Sequence, residues 1–177
     1  MSETVIQVTS LGKRIKGKTI LEDISFEINQ GDCVALIGPN GAGKTVLMSC
    51  ILGDKKPSGG QVLIDGKAGK AKNKIAVLLQ ENTIPNSLKV EELIAFFQSI
   101  SDNPLTKQEV QDLLQFKEDQ YQQFADKLSG GQRRLLAFVL CLIDKPKILF
   151  LDEPTAGMDT STRQRFWEIV NDLKKAG

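Results

Sequence analysis

The stretch Gly38-Pro39-Asn40-Gly41-Ala42-Gly43-Lys44-Thr45 fits the pattern G-x-x-x-x-G-K-[ST] and decides how the rest of the chain is interpreted. An apolar run ends at Ile37 and a helical pattern begins around Gly43, which is the context that the pattern requires. Glycines let successive backbone amides converge on a phosphate without Cβ clashes, and a helix N-terminus adds positive potential. We expect Lys44 to place its charge on the β- and γ-phosphates and the Thr45 hydroxyl to bind Mg²⁺. The alternative, a glycine-rich turn that merely joins a strand to a helix, is disfavoured by these flanks.

Strand-like and helix-like segments alternate on both sides of this loop, which predicts an α/β domain with a mainly parallel sheet and flanking helices. The predicted strands are Val5–Val8, Ile24–Ile28, Cys33–Ile37, Gln61–Ile64, Ile75–Leu79 and Ile148–Leu151. The predicted helices are Lys44–Leu52, Val90–Ser99, Thr106–Phe116, Gln132–Ile143 and Thr162–Leu173. Almost wholly apolar runs such as Val34–Ile37 predict strands covered on both faces. The segments up to Ile28 alternate instead and predict an N-terminal antiparallel β subdomain.

Domain organisation follows from the length and from a change in polarity along the chain. The 177 residues fit a single domain, at about 150 residues per domain. Between Gln80 and Lys127 the pattern is helical and more polar, so we expect residues 81–127 to form a helical insert. Residues 1–80 and 128–177 would then form the nucleotide-binding core with its β subdomain.

Helix ends have their own signals. The pairs Thr106 with Glu109 and Ser161 with Gln164 have the spacing of capping boxes, which predicts two helix starts. Lysines in a last turn and a following glycine predict a helix end, and the sequence offers Lys174, Lys175 and Gly177.

Composition excludes several classes of function. The chain has 23 basic and 22 acidic residues, a net charge of +1, so no global field draws it to nucleic acid or an anionic membrane. It contains no histidine, which excludes an imidazole base, a histidine metal ligand and a Ser–His pair within this sequence. Cys33, Cys50 and Cys141 lie in apolar segments without metal-ligand spacing, and we expect buried free thiols. Without a secretory signal or an apolar run of about 18 residues, the sequence predicts a soluble chain.

One basic stretch has two possible interpretations. Lysines surround a predicted hairpin at positions Lys55, Lys56, Lys67, Lys70, Lys72 and Lys74. Because no aromatic residues accompany them to stack on bases, a solvated surface is favoured over a nucleic-acid patch. We therefore expect no nucleic-acid partner.

Two carboxylates end an apolar strand in Ile148-Leu149-Phe150-Leu151-Asp152-Glu153. Strand alternation points neighbouring side chains to different faces, so the two carboxylates should do different work. We expect Asp152 to hold Mg²⁺, directly or through water, and Glu153 to face the γ-phosphate and polarise the attacking water. An acidic pair after a strand is more often a solvated strand end, but the phosphate-binding loop in the same chain favours the metal site.

A second potential phosphate cradle lies at Leu128-Ser129-Gly130-Gly131-Gln132, where a predicted helix begins. A serine hydroxyl, free backbone amides and the helix dipole can all bind an anion. The alternative is that Ser129 is only an N-cap beside a flexible glycine pair, and the residues alone do not choose between the two. A nucleotide shared between two chains would explain why one chain has two cradles.

Residues 128–132 resemble the signature that defines ATP-binding cassette (ABC) ATPases, and other landmarks of that family follow the expected order. Gln80 is similar to the Q-loop glutamine, which contacts Mg²⁺ and water and links to the transport partner. Asp159, in Ala156-Gly157-Met158-Asp159, resembles the D-loop aspartate. The similarity runs from about Val5 to the last residue, and it implies a P-loop NTPase fold.

The resemblance also implies ligands and partners. Two cassettes of this family pack head to tail, so each ATP, with Mg²⁺, would lie between the phosphate-binding loop of one copy and the signature of the other, which here comprises Ser129, Gly130, Gly131 and Gln132. Gln80 joins Thr45 and Asp152 as an implied Mg²⁺ contact. Membrane permease subunits would dock near the segment after Gln80, which places the chain in the cytoplasm, peripheral on the inner face of the membrane. The compact insert and the stretch from Arg133 to Glu168 are most similar to exporter cassettes that serve ABC-2-type permeases.

Two positions depart from the family pattern. Where the family stacks an aromatic ring on adenine, this sequence has Ile15, which can pack against the base without ring stacking. The family's switch histidine would follow the last predicted helix on one further strand, and the sequence stops at Gly177. We therefore expect a truncated domain with a gap between the strands that end at Gly38 and at Asp152, exposed ladder groups and marginal stability.

The sequence leaves three alternatives to an ATP-hydrolysing transporter subunit that powers export. The first is a soluble ABC ATPase acting on ribosomes or DNA, although the tandem cassettes, coiled coils and zinc inserts of such relatives are missing. The second is a nucleotide-binding fragment without turnover, since Glu153 is present but the γ-phosphate sensor is not. The third, a GTPase or nucleotide kinase, gives no reason for the signature at residues 128–132.

Overall fold

The computed structural model describes residues 3–68, 75–80, 84–85 and 87–176, and the structural statements that follow concern these residues. The chain forms two compact units, one from Met1–Lys72 with Leu173–Gly177 and the other from Asn73–Asp172. The division into residues 1–80 with 128–177 and a helical insert at 81–127 stays a prediction.

The first unit is built on an antiparallel sheet of four strands. These are β1 (Thr4–Ile15), β2 (Lys18–Asn29), β3 (Gly59–Ile64) and β4 (Lys67–Ala68), in the order β2-β1-β3-β4. The turn between β1 and β2 is Lys16-Gly17, with φ of 48° and 80°, and two positive values are typical of a type I′ hairpin turn. The predicted N-terminal antiparallel β subdomain is thus confirmed.

Alternation along β1 creates the core of this unit. Ile6, Val8 and Leu11 are buried, and Ile64 on β3 lies opposite Ile6 in the ladder. Helix α1 (Lys44–Ile51) supplies a further set of buried side chains, Leu47, Cys50 and Ile51. The helix starts one residue after Gly43 and ends one residue before the predicted end at Leu52.

The predicted strand Cys33–Ile37 is wrong. The structure assigns no strand there, and Val34, Leu36 and Ile37 are 60%, 47% and 90% exposed. An apolar run becomes a strand only when a neighbouring strand pairs with its backbone, and no described strand pairs with this one. Cys33, in the same segment, is also exposed, so the expectation that it is buried is wrong. Cys50 is buried and Cys141 is half-buried.

The second unit contains a parallel pair of strands, β5 (Ile75–Leu78) and β6 (Ile148–Leu151), with Leu78 opposite Leu151. Both strands were predicted. The bounds of β6 agree with the prediction, whereas β5 ends one residue before the predicted end at Leu79. Its helices are α2 (Val90–Ser99), α3 (Lys107–Leu114), α4 (Glu118–Gln122), a 3₁₀ turn at Ala125–Lys127, α5 (Gly130–Leu142) and α6 (Thr160–Ala176). No helix in the described ranges has the length and apolar character that spanning a bilayer requires.

One hydrophobic core joins the elements of the second unit. Helix α5 is buried along most of its length, and Phe138 on it packs on Phe166 of α6 with ring centroids 4.4 Å apart. Val90 and Leu93 of α2 and Val110 of α3 belong to the same core. The helices that follow β5 are therefore fixed to the helix that begins with the predicted signature.

Helix starts show which capping predictions hold. The Thr106 hydroxyl accepts from the Glu109 amide and the Glu109 carboxylate accepts from the Thr106 amide, so this capping box is confirmed. The predicted box at Ser161 is wrong, because α6 already begins at Thr160 and the Asp159 carboxylate accepts from the Thr162 amide at 2.9 Å. A carboxylate is a good N-cap and its charge suits the positive end of a helix.

Two smaller predictions have separate outcomes. Lys174 and Lys175 lie in the last turn of α6, as predicted. Gly177 and three of the lysines assigned to a solvated surface, Lys70, Lys72 and Lys74, lie outside the described residues.

Candidate active site

In the phosphate-binding loop of the first unit, the side chain of Lys44 is hydrogen-bonded to the backbone at the start of the loop. Lys44 Nζ donates to the carbonyl oxygens of Gly38 at 2.7 Å and Pro39 at 2.9 Å. Gly41 and Gly43 have φ of 81° and 91°, in the left-handed region that favours glycine. The ammonium group is therefore held over the loop, where the predicted phosphate would meet it.

Gly43 is restricted by space as well as by its φ. A Cβ at this position would lie 3.0 Å from Leu21 Cδ2 and 3.3 Å from the Ile20 carbonyl oxygen. Both contacts come from β2, so the loop is pressed against the antiparallel sheet. A side chain here would require the Leu21 side chain and the Ile20 carbonyl to shift by a few tenths of an ångström.

The N-terminus of α1 is suited to an anion. No side chain caps it, and its first turn contains no acidic residue. Its leading amides and the positive end of its dipole are therefore left for a phosphate. Lys44 and Thr45 are its first two residues, which is a donor set that fits a nucleotide phosphate with a hard cation beside it.

In the second unit the predicted glutamine and the predicted carboxylate meet. Gln80 Nε2 donates to Glu153 Oε2 at 2.9 Å, although the two residues are 73 positions apart in the sequence. They meet because β5 and β6 are parallel and end at the same edge. The Asp152 amide extends this pairing by donating to the Leu78 carbonyl oxygen at 2.9 Å.

Glu153 has an unusual backbone conformation. The strand ends at Leu151, and Glu153 has a φ of 45°, in the left-handed region that costs a non-glycine residue about 1–2 kcal/mol. The strand-alternation argument for the two carboxylates is therefore wrong, because Glu153 lies on a bend beyond the strand. Its carbonyl oxygen accepts from the Ala156 amide at 3.1 Å, which helps to hold the bend.

Arg134, which the sequence analysis did not single out, binds this bend. Its guanidinium donates to five main-chain carbonyl oxygens, those of Leu79, Gln80, Asp152, Glu153 and Pro154. Burial lowers the pKa of Arg134, while the nearby Asp152 carboxylate acts in the opposite direction. Helical spacing places Arg134 on the face of Phe138 and Leu142, so a lone arginine on an apolar stripe was the available signal.

The predicted signature forms the start of α5. The Ser129 hydroxyl accepts from the Gln132 amide at 3.2 Å, and Gln132 Oε1 accepts from the Ser129 amide at 3.0 Å. The N-cap role that the sequence left open is thus confirmed. Ser129 and Gly130 are exposed, whereas Gly131 is buried. The structure leaves the serine hydroxyl accessible for a further partner.

Asp159 lies next to this helix start and is itself highly ordered by hydrogen bonds. Its carboxylate accepts from the Thr162 amide at 2.9 Å, the Ser161 hydroxyl at 2.7 Å and the Thr162 hydroxyl at 2.8 Å. These bonds, first of all that from the Thr162 amide, hold the pKa of Asp159 well below its usual range.

Ile15, the predicted base contact, is the last residue of β1 and pairs with Lys18 across the hairpin turn. It is partly exposed and belongs to the same unit as the phosphate-binding loop. Its role toward a base stays a prediction.

The donor set at the ends of β5 and β6 suits a magnesium ion. Carboxylate and amide oxygens are ligands that Mg²⁺ accepts, and Asp152 and Gln80 supply them. Within the described ranges no group of three or more histidine, cysteine or acidic side chains forms a metal centre. Asp152 and Gln80 would hold a Mg²⁺ here, and the ion would supply positive charge to bound phosphates.

A glycine-rich loop before a helix, an antiparallel side sheet and parallel strands ending in a glutamine and an acidic pair define a phosphate-loop nucleotide-binding fold. The chain belongs to the ABC transporter family, whose family model, described as ABC transporter, matches residues 21–156. This confirms both the predicted family and the predicted fold class.

Individual relatives carry out both directions of transport. The chain is 33% identical to the Nod factor export ATP-binding protein I of Ralstonia nicotianae, over 99% of this chain and 58% of that protein. It is also 33% identical to the methionine import ATP-binding protein MetN of Legionella pneumophila, over 97% of this chain and 54% of that protein. The chain spans about half the length of these curated relatives.

Solved structures agree with the fold. A structure of an ATP-binding subunit of an ABC transporter matches with a TM-score of 0.82 and 26% identity, covering 98% of this chain and 76% of that one. A dimeric ATP-binding cassette in a post-hydrolysis state with ADP and Pi matches with a TM-score of 0.79 and 20% identity, covering 97% and 83%. The second similarity concerns the fold alone.

Proposed function

We propose that this chain binds and hydrolyses Mg-ATP as the ATP-binding subunit of an ABC transporter. The observation that supports hydrolysis most directly is the 2.9 Å hydrogen bond between Gln80 and Glu153 at the ends of the two parallel strands. It places a carboxylate that can accept a proton beside an amide that can orient water.

The phosphate-binding loop is proposed to bind the triphosphate. The backbone amides of Gly41, Gly43 and the start of α1 would donate to phosphate oxygens, and Lys44 would exchange its bonds to Gly38 and Pro39 for the β- and γ-phosphates. Pro39, Asn40 and Ala42 complete this loop. Bound Mg²⁺ supplies charge neutralisation, with Thr45 and Asp152 as its proposed ligands.

Glu153 is the proposed general base. Gln80 occupies its Oε2, so its Oε1 is left to accept a proton from water as that water attacks. The side-chain oxygen of Gln80 takes no part in this bond and would orient the same water or contact Mg²⁺. A left-handed backbone at Glu153 fixes the direction of the carboxylate and reduces the reorganisation needed for catalysis.

A second copy of the chain is the proposed partner across the nucleotide. The exposed Ser129 and Gly130, with Gly131 and Gln132 behind them, form the start of α5 and would face the triphosphate bound by the other copy. This head-to-tail arrangement is taken from the family resemblance, as is a contribution of Ile15 to base binding.

Membrane permease subunits are the proposed partners for coupling, docking near the segment after Gln80. Similarity to a Nod factor export protein supports an exporter that serves an ABC-2-type permease, and it would place the chain on the cytoplasmic face of the membrane. The chain is equally identical to a methionine import protein, so import is the alternative outcome of the test.

The experiment measures Mg-ATP binding by calorimetry and phosphate release on the same sample. Glu153→Gln should still bind ATP but no longer release phosphate, because it removes the proton acceptor and retains the shape of the side chain. Glu22→Gln, an exposed position on β2, is the matched control and should change neither. Unchanged release in Glu153→Gln would refute the proposed base.

Binding without turnover is the second candidate function. The 177 residues contain no histidine, whereas the resemblance implies a histidine that senses the γ-phosphate. ATP binding with no release from the unmodified chain would support this candidate. Pull-down of ribosomes rather than of a permease would instead indicate a soluble ABC ATPase.

A further inference from the structure

We propose that Arg134 is a positioning residue that sets the distance between Gln80 and Glu153. This inference rests on the proposed hydrolytic role of that pair. The guanidinium of Arg134 binds the backbone on which each of these two side chains stands.

Two of the contacts go to the chain just after β5 and three go to the chain just after β6. Toward β5, Nη1 donates to the carbonyl oxygens of Leu79 and Gln80, the latter at 3.1 Å. Toward β6, Nη2 donates to Asp152 at 2.8 Å and to Glu153 at 3.3 Å. Nε completes the set by donating to Pro154 at 3.2 Å. One planar group thus joins two chain segments at the point where their ladder ends.

This joining matters because the ladder itself stops too early. The strands β5 and β6 end at Leu78 and Leu151, each two residues before Gln80 and Glu153 respectively. Past the end of β6 the Asp152 amide still donates to the Leu78 carbonyl oxygen, which links the two main chains just before the level of the pair. Arg134 therefore supplies the fixed connection at the level of the pair itself.

A guanidinium suits this position and an ammonium does not. Arginine presents several N–H donors in a rigid plane, whereas lysine presents one nitrogen on a flexible stem. Arg134 is buried, so a carbonyl oxygen that loses its donor here has limited access to water in compensation. A lysine could donate to the carbonyl oxygens after one strand, and those after the other strand would lose their donor.

Loss of the hydrogen bonds from Arg134 would affect the bend at Glu153 most. Its left-handed φ of 45° is held by two bonds to its carbonyl oxygen, from Ala156 and from Arg134. With Arg134 replaced, the backbone can relax toward extended values and carry the carboxylate away from Gln80. A shift of about 1 Å in a reacting group can cost about 100-fold in rate.

The chain offers a matched control in Arg165. Its Nε donates to the Leu113 carbonyl oxygen at 3.0 Å, and its Nη2 donates to the carbonyl of Asp112. This is the same chemistry in the same unit, an arginine of a core helix holding the end of another segment, but it lies at the end of α3. Arg165→Lys therefore reports the structural cost of losing such contacts.

The experiment compares Arg134→Lys, Arg134→Gln and Arg165→Lys by kcat, KM for Mg-ATP and urea unfolding. The Arg134 variants should lose about 10- to 100-fold in kcat with little change in KM, since the phosphate-binding loop belongs to the other unit. Arg165→Lys should lose stability and keep kcat. Adding Arg134→Lys to Glu153→Gln should lower residual turnover no further. An unchanged kcat in a folded Arg134 variant, or equal losses in Arg165→Lys, would overturn the proposal.

A readout without turnover separates this proposal from the proposed function. The side-chain NH₂ signals of Gln80 in an amide NMR spectrum should move in Arg134→Lys and stay in place in Arg165→Lys. If the unmodified chain hydrolyses no ATP while these signals move as expected, hydrolysis is refuted and the positioning role stands. Signals unmoved in Arg134→Lys refute the positioning role.

If the Arg134 variants fail to fold, one further test keeps Arg134 and changes Glu153 instead. Glu153→Gln should shift the Arg134 guanidinium signals together with the Gln80 side-chain signals, because Arg134 binds the carbonyl oxygens of both Gln80 and Glu153. Guanidinium signals that do not respond would contradict the proposal.

Discussion

Gly131 lies against Asp159: a Cβ built on this glycine would stand 3.2 Å from the Asp159 carboxylate and 3.2 Å from Met158 Cα. The glycine is near the start of α5 and the aspartate caps α6, so two helix N-termini meet here. A larger residue at 131 must push back the segment that orients Asp159.

Gly131→Ala should therefore destabilise the chain by about 1–2 kcal/mol relative to Gly130→Ala, as expected for overpacking. Gly130 is the matched control, because a Cβ there meets nothing within 4 Å and both positions gain similar helix propensity. Urea unfolding measures the difference. Equal midpoints for the two variants would mean that the Asp159 segment moves aside without cost.

Asp159 should make stability depend on acid pH. Its folded-state pKa is depressed, so its contribution is present above the unfolded value of about 3.9 and is lost as the pH falls through the folded value. Asp159→Asn keeps a capping oxygen and removes the titration. The measurement is the unfolding midpoint from pH 6 to the acid limit, and the variant's curve should be flatter below about pH 4.

The control for this titration is Asp102→Asn, which changes an exposed carboxylate elsewhere in the same unit. Its pH curve should follow that of the unmodified chain. If Asp102→Asn flattens the curve as much as Asp159→Asn does, the cap is not the source of the acid sensitivity.

Gly43 should tolerate substitution less well than Gly41. Both have positive φ, so alanine costs about 1–2 kcal/mol at either position. Only Gly43 would add contacts with Leu21 and Ile20, since a Cβ on Gly41 meets nothing within 4 Å. Calorimetry with Mg-ATP and urea unfolding should both show the larger loss for Gly43→Ala, and a larger loss for Gly41→Ala would contradict the packing argument.

The exposed run Val34–Ile37 should make the chain marginally stable and prone to association. Unpaired ladder groups with apolar side chains are a template for pairing with another chain. We expect a melting midpoint below the range of about 45–65 °C that is usual for mesophilic domains. A cooperative melt within that range would contradict this expectation.

Ile37→Lys tests the association separately from stability. Ile37 is 90% exposed, so the change should leave the unfolding midpoint within about 0.5 kcal/mol while lowering light scattering on heating. Undiminished scattering would place the association elsewhere on the chain.

Local signals in the sequence predicted much of this molecule. Apolar runs located β5 and β6, and capping chemistry located the start of α3, because each depends on residues near one another in the chain. The five-residue helix α4 was missed, since a single turn and a half has too few residues to show a helical period.

Predictions that depended on distant partners fared worse. Cys33–Ile37 has the composition of a buried strand, but a strand needs a neighbour, and composition cannot supply one. The capping box predicted at Ser161 does not form, because the Asp159 carboxylate two residues earlier caps the helix instead. The motifs located Gln80 and Glu153 separately, whereas the hydrogen bond between them depends on a parallel register that neither motif contains.

The contacts of Arg134 also determine how mutations are tolerated. All five acceptors are main-chain carbonyls, which every amino acid supplies, proline included. Side chains at 79, 80 and 152–154 can change without removing an acceptor, while a change at 134 leaves several of the acceptors without a donor at once. A saturation-mutagenesis screen for folded protein should therefore tolerate fewer substitutions at 134 than at 79, 80 and 154.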